Sequence, residues 1–281
     1  MGIGGSLAWL STVTIASGED AIVTDWVSRT VTAGGSVATA TRNAIDAYVK
    51  GIKSDGIFSK MSSGLIMPFA SNNWDGALVP LIAPNGATFT ATLLTAADYS
   101  LAAGIDPGSA NNDPKRITTN INAQSIFTAT SCHCSIYRRV HRVARDAVVN
   151  TINGTDVFNR LQFHAPWENG VTEFDAFTFI TDAGRIGATL SGNTGFITGA
   201  RSASGQALYR NGALVISHSG ASDQGVPNST INLIGCFVSD FSFYSRSVTS
   251  YIYVGSSLTA SEEALHYARV QTLQTALGRQ V

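Results

Sequence analysis

Apolar residues recur at helical spacing in three stretches of this chain and at strand spacing through most of the rest. Residues 17–33 predict a first helix. Ser17 stands as its cap, with Asp20 three residues on in the capping-box position, and Ile22, Trp26 and Val27 share one face. Gly34-Gly35 then ends it, because glycine accepts the left-handed conformation found at helix ends. A second helix is predicted over 39–54, where Ile45, Tyr48, Val49 and Ile52 fit the i, i+3, i+4, i+7 template and Gly56 supplies the stop. The two make a helical hairpin. At the other end Thr259-Ala260-Ser261-Glu262 is a full capping box, preceded by Leu258 where a hydrophobic staple belongs. Leu265, Val270, Leu273 and Leu277 gather on one side of that third helix before Gly278. It is expected to pack on the preceding strands and cover a face or an edge.

From about residue 64 the texture changes. Short runs of Val, Ile, Thr, Phe and Tyr alternate with Gly, Asn, Pro and Asp clusters, the pattern of many short strands joined by turns. Strands are predicted at 89–94, 124–139, 157–163, 174–181, 195–201, 206–210, 213–218, 229–236, 240–245 and 250–254. The sharpest local signal is Asn211-Gly212 between two strand-like runs, since both turn positions of a tight hairpin need positive φ. Gly104–Lys115 is the best candidate for a long exposed loop.

Composition narrows the function classes. Only 13% of the residues are charged and 44% are apolar, against a usual charged share of about 25%. The surface must therefore be rich in Ser, Thr, Asn and Gly, and a solvated disordered chain is excluded. The net charge of −1 lacks the basic excess of a duplex-DNA binder. The one basic cluster, Arg138, Arg139, His141, Arg142 and Arg145, reads as a strand end or a subunit contact. No apolar run approaches the roughly 18 residues of a membrane span. Residues 1–16, which include Trp9, have no basic opening and no clean apolar centre, so they read as an N-terminal arm and not a signal peptide.

Catalytic signals are sparse. Glu173 and Asp175 lie two apart on a predicted strand and face the same way. Laminarinase-type glycosidases use Glu-x-Asp-x-x-Glu, but Thr178 stands where the second Glu belongs, so the general acid/base is missing. No Gly-x-Ser-x-Gly elbow, phosphate loop or dinucleotide fingerprint occurs. His133, His141, His164, His218 and His266 are scattered, and His266 falls on the apolar face of the last helix as a packed residue. Cys132-His133-Cys134 resembles a metal fragment, yet the two thiols share a strand face and no second ligand pair lies nearby, so no metal site is expected. Asp106, Asn111, Asn112 and Asp113 offer oxygen ligands for Ca²⁺, but a turn-rich loop accounts for them equally well, and no cofactor is expected. Sugar sites stack rings on aromatics and bind hydroxyls with amides and carboxylates. On that chemistry Trp167, Glu168 and Asn169, in the loop His164–Gly170, and Tyr209 are the candidate ligand-binding residues.

The ends of the chain carry a resemblance. Asp25-Trp26-Val27 through Gly34-Gly35-Ser36-Val37, Ala44-Ile45-Asp46-Ala47-Tyr48, Lys53 to Ile57 and Gly76-Ala77-Leu78-Val79-Pro80-Leu81 resemble the helical preface of phage-encoded virion proteins. Tyr253-Val254-Gly255 through Glu262 and the closing Gln274–Val281 resemble the same group's C-terminus. The resemblance implies a concanavalin A-like or laminin G-like jelly-roll β-sandwich between them, in a capsid decoration, head-fibre or tail-adhesin type of protein. It carries no catalytic motif. The resulting expectation is a mostly β chain: an arm at 1–16, an anchoring helical hairpin at 17–60, a jelly roll at 61–258 and a packed helix at 259–281. Its expected function is that of a non-enzymatic phage virion structural protein. A carbohydrate-binding receptor adhesin is the alternative and a glycan depolymerase the remote one. Trp9, Trp26 and Tyr48 are expected as anchoring or oligomer contacts. The expected partners are other phage structural proteins, further copies of the chain in a homo-oligomer such as a trimer, and host surface glycans, with no nucleic acid and no membrane. The expected location is the virion, assembled in the host cytoplasm.

Overall fold

The structure is a computed structural model that describes residues 18–84, 87–108, 115–142, 147–151, 161–165, 171–176, 185–190, 192–220, 225–238 and 241–281. Its helices are α1 (Ala21–Thr32), α2 (Thr39–Ser54), α3 (Phe58–Met61), α4 (Trp74–Ala77) and α5 (Ala260–Ala276). The strands run β1 (Leu65–Met67), β2 (Thr90–Thr92), β3 (Tyr99–Ser100), β4 (Gly104–Ile105), β5 (Arg116–Asn122), β6 (Cys132–Val140), β7 (Ala147–Asn150), β8 (Leu161–His164) and β9 (Val171–Ala176). They continue with β10 (Ile186–Thr189), β11 (Gly195–Ser202), β12 (Gly205–Arg210), β13 (Ala213–His218), β14 (Thr230–Leu233), β15 (Gly235–Val238), β16 (Phe241–Tyr244) and β17 (Val248–Gly255).

The strands form two antiparallel sheets packed as a jelly-roll sandwich. One sheet has the order β13-β12-β11-β6-β17-β4-β3, with β1 also paired to β17, and the other the order β10-β9-β8-β7-β14-β5-β2. β15 and β16 form a separate two-stranded ribbon that packs beside β7 of the second sheet. Ile136, Ile197, Ile252 and Val254 of the first sheet meet Ile117, Phe163, Phe174 and Leu233 of the second in the core between them. Cys132 and Cys134 point into that core from alternate positions of β6, so they behave as small apolar groups.

The first sheet is covered on its other face as well. Tyr137, Phe196, Tyr251 and Tyr253 project away from the sandwich core and meet Val23, Trp26, Ile45, Val49, Ile52, Val270 and Leu273 of α1, α2 and α5. Covered on both sides, β17 is buried at every one of its residues, the hydrophobic continuity expected of a doubly packed strand. The helical hairpin is thus a third layer on the sandwich. Arg269 of α5 and Asp55 at the end of α2 tie two of the helices with paired 2.7 Å contacts.

Local signals set the boundaries. Thr259 and Glu262 close the predicted capping box on α5. The cap of α1 is Asp20, which accepts from the Ile22 amide at 3.1 Å, and not Ser17, which lies outside the described residues. Asn211 and Gly212 have φ of 50° and 75° and join β12 to β13 in the predicted tight hairpin. The strand predicted from 124 starts only at Cys132, because Ala123–Ser125 turns as a short 3₁₀ helix. Gly104–Ile105, predicted as loop, pairs as β4.

Candidate functional site

Three of the four candidate ligand-binding residues, Trp167, Glu168 and Asn169, lie outside the described residues, as does Trp9. Trp26 and Tyr48, expected as anchoring or oligomer contacts, are internal. Trp26 is 0% exposed and donates its indole N–H to the Val79 carbonyl at 3.2 Å. Tyr48 shares a 2.7 Å hydroxyl contact with Tyr251 beneath the helices, and its phenol is pushed above its ordinary range by burial. Their local sequence does not show this burial, because the sheet that covers them carries Tyr137, Phe196, Tyr251 and Tyr253, far away in sequence.

The other chemistry-bearing residues are also absorbed into the fold. Glu173 accepts from Arg185 at 3.0 Å, and Asp175 is 2% exposed, so the pair does not stand open to one sugar as a retaining glycosidase requires. Arg138 is fully buried against the Asn193 carbonyl, Arg139 donates to the Arg279 carbonyl, and Arg142 holds Asp106. These three arginines of the basic cluster are therefore spent on protein acceptors, while Arg145 lies outside the described residues. Of the calcium candidates, Asp106 also caps the Gly108 amide, while Asn111, Asn112 and Asp113 lie outside the described residues.

Tyr209 does line a cleft. Leu208 points into the sandwich core, so Tyr209 beside it faces the helical side of the sheet, where a bulge shifts its register against β13. The cleft encloses about 350 Å³ and is lined by Ser202, Ser204, Gln206, Tyr209, Ser217 and His218, with Ser257 and Leu258 closing it from the approach to α5. Gly205 lets the strands meet tightly there. Its φ is +134°, and a Cβ would stand 2.0 Å from the His218 carbonyl. Ser202 and Ser204 share a 2.8 Å hydroxyl contact, and Gln206 accepts from the Ala176 amide at 3.0 Å. The Tyr209 phenol is pushed up by burial and by the nearby Glu263 carboxylate. Gln206 turns its amide into the sandwich, so the groups the lining offers are hydroxyls, an imidazole and an aromatic ring, with no Asp, Glu, Lys or Arg among the lining residues. That set exchanges hydrogen bonds with neutral polyols, and the volume falls in the range of small-ligand sites.

A larger groove of about 1010 Å³ runs beside α1, lined by Ile22, Arg29, Phe58, Leu78, Val79 and Phe89 among others. Its cation is already satisfied. Arg29 binds Asp25 at 2.7 Å and the Pro80 and Leu81 carbonyls at 2.8 and 3.2 Å. The groove offers shape and apolar surface but few converging free polar groups, so the smaller cleft is the better site.

Behind the cleft lies a cluster that the sequence does not show as one. His133 on β6 and Glu263 and His266 on α5 are each 0% exposed. His133 Nδ1 stands 3.0 Å from Glu263 Oε1, and His266 Nε2 3.0 Å from the Tyr251 hydroxyl. The His266 ring is held neutral, its pKa driven well below the ordinary value by burial and by His133. The available signal was the Glu-x-x-His spacing of 263 and 266, which puts both on one face of a helix.

No family model matches the sequence, and no curated protein matches it. Solved structures resemble the fold. The carbohydrate-binding module CBM40 of a Ruminococcus gnavus sialidase, bound to α2,3-sialyllactose, aligns at 11% identity over 49% of this chain and 81% of its own, with a TM-score of 0.40. The receptor-binding domain of botulinum neurotoxin D aligns at 15% identity over 74% of this chain, with a TM-score of 0.48, and this chain spans about half (52%) of that domain. The botulinum neurotoxin G binding domain aligns at 13% identity over 67% of this chain and 48% of its own, with a TM-score of 0.41.

Proposed function

We propose that this chain is a non-catalytic glycan-binding domain and that the cleft between β12 and β13 seats one sugar ring. The observation that carries the reading is the lining of that cleft, where the hydroxyls of Ser202, Ser204 and Ser217 and the imidazole of His218 accompany Tyr209. A hydrogen bond between neutral partners is worth about 1 kcal/mol net. Ser217→Ala and His218→Ala are therefore each expected to weaken binding roughly fivefold. Their melting temperatures should stay at the wild-type value, since β13 is exposed throughout. The test is a glycan array followed by calorimetric titration of the best sugar. A chain that binds no array glycan overturns the reading. A sugar bound equally well by the Ser217→Ala/His218→Ala double variant but lost in Trp167→Ala moves the seat to the loop at 164–170.

The resemblance of both chain ends to phage virion proteins supports placing this domain on the surface of a phage particle, beside other structural proteins and in several copies. Strand β13 supports that placement. It ends its sheet, pairs only with β12 among the described residues, and exposes Leu214, Val215 and Ile216 at 55, 42 and 37%. An apolar edge of this kind pairs readily with a second copy. Light scattering should show an oligomer for the wild-type chain and a monomer for Val215→Lys. A wild-type monomer at high concentration removes β13 as a subunit contact.

A further inference from the structure

We propose that His133, Glu263 and His266 form a buried site for one divalent transition-metal ion of the zinc class, clamped between β6 and α5. One ligand atom from each residue lies within 4.8 Å of the others, and all three residues are 0% exposed. Both ring nitrogens of His133, both carboxylate oxygens of Glu263 and Nδ1 of His266 are buried without a hydrogen-bond partner. The 3.0 Å approach of His133 to Glu263 is thus a contact at an angle that makes no hydrogen bond.

Buried polar atoms are ordinarily satisfied, and so many unmade bonds in one place need a reason. A single proton shared between His133 and Glu263 would satisfy one atom of each and leave His266 Nδ1 and the second oxygen alone. A metal ion engages all three residues at once and supplies the charge that a desolvated carboxylate lacks. Two imidazoles and a carboxylate are a zinc donor set with a fourth position left for water. Ca²⁺ and Mg²⁺ prefer oxygen throughout. Cys132 and Cys134 are excluded as ligands, because they face the sandwich core on the other side of β6. Ligand atoms about 2.1 Å from a tetrahedral ion stand roughly 3.4 Å apart, so spacings within 4.8 Å close by at most about 1.4 Å through side-chain rotation. Glu263 comes from the first turn of α5, His266 from the second, and His133 from β6, the neighbour of β17. The ion would therefore pin the C-terminal helix to the middle of its sheet.

The test uses the full chain, stripped with a chelator and titrated with Zn²⁺ against a chromophoric competitor, then with Co²⁺ to read its visible bands. One zinc per chain is expected, with a melting temperature raised by roughly 5 °C at about a hundredfold excess over Kd. The Co²⁺ bands should be those of a four- or five-coordinate ion with nitrogen and oxygen ligands. His133→Gln and Glu263→Gln should weaken zinc at least about 100-fold, more than the loss of an outer-shell partner. A folded wild-type chain that takes up neither ion overturns the proposal, and this result needs no variant to fold. Zinc bound with unchanged affinity by folded His133→Gln overturns the assignment to these residues.

Discussion

Arg279→Ala is expected to destabilise the fold by about 4 kcal/mol, although the residue stands two places from the end of the sequence. The guanidinium is fully buried. It donates to the Leu101 carbonyl at 2.6 Å, Pro68 at 3.0 Å, Ser250 at 3.1 Å, and also to Phe69. No carboxylate faces it in these contacts. Burial depresses its pKa to about 10, partly offset by Tyr99, so it stays charged at neutral pH. Hydrogen bonds to a charged group are worth about 1.5–3 kcal/mol each, and removing the donor strands several buried carbonyls. The carbonyls belong to the segment after β1, the turn between β3 and β4, and β17, so one side chain joins three parts of the fold. Urea unfolding of the variant checks the figure. Arg279→Lys, with one ammonium in place of the fork, should recover only part of the loss. A change within about 0.5 kcal/mol, the usual range for surface sites, would show the tail to be dispensable.

Trp26→Ala is expected to cost about as much, roughly 4 kcal/mol, in the range for large aromatic truncations in cores. The indole sits under α1 in the helical core, and its N–H closes on Val79. Trp26→Phe keeps most of the apolar contact and loses that bond, so a loss of about 1–2 kcal/mol is expected. Thermal unfolding followed by near-ultraviolet dichroism separates this outcome from an anchoring role. An anchoring residue would leave the isolated chain as stable as before and weaken only assembly.

The features legible in the sequence are those that neighbours in the chain decide. The capping box of Thr259 and Glu262, the limits of α2 and the Asn211-Gly212 turn each depend on residues a few places apart. Sheet pairing is not of that kind. The burial of Tyr251 and Tyr253 follows only once β17 lies between β6 and β4 with helices above it. The candidate site divides in the same way. Tyr209 was found from residue type, whereas the serines and His218 around it needed the hairpin's bulged register. His133 and His266 are invisible as a pair because strand and helix meet across 132 intervening positions. Arg279 was passed over because nothing near it in sequence announces four distant carbonyls.

On the ribosome, β6 must wait for β17. Val248 follows Val140 by 108 residues, which is roughly 5–20 s of translation at about 5–20 residues per second. Until then the middle of the first sheet has an open seam, with the backbone of β6 unpaired on one side and its apolar side chains uncovered. Pairing across so long a stretch is slow even after release. A product that stops short of β17 leaves that seam open and is a strand-pairing hazard for its neighbours, not a smaller working domain.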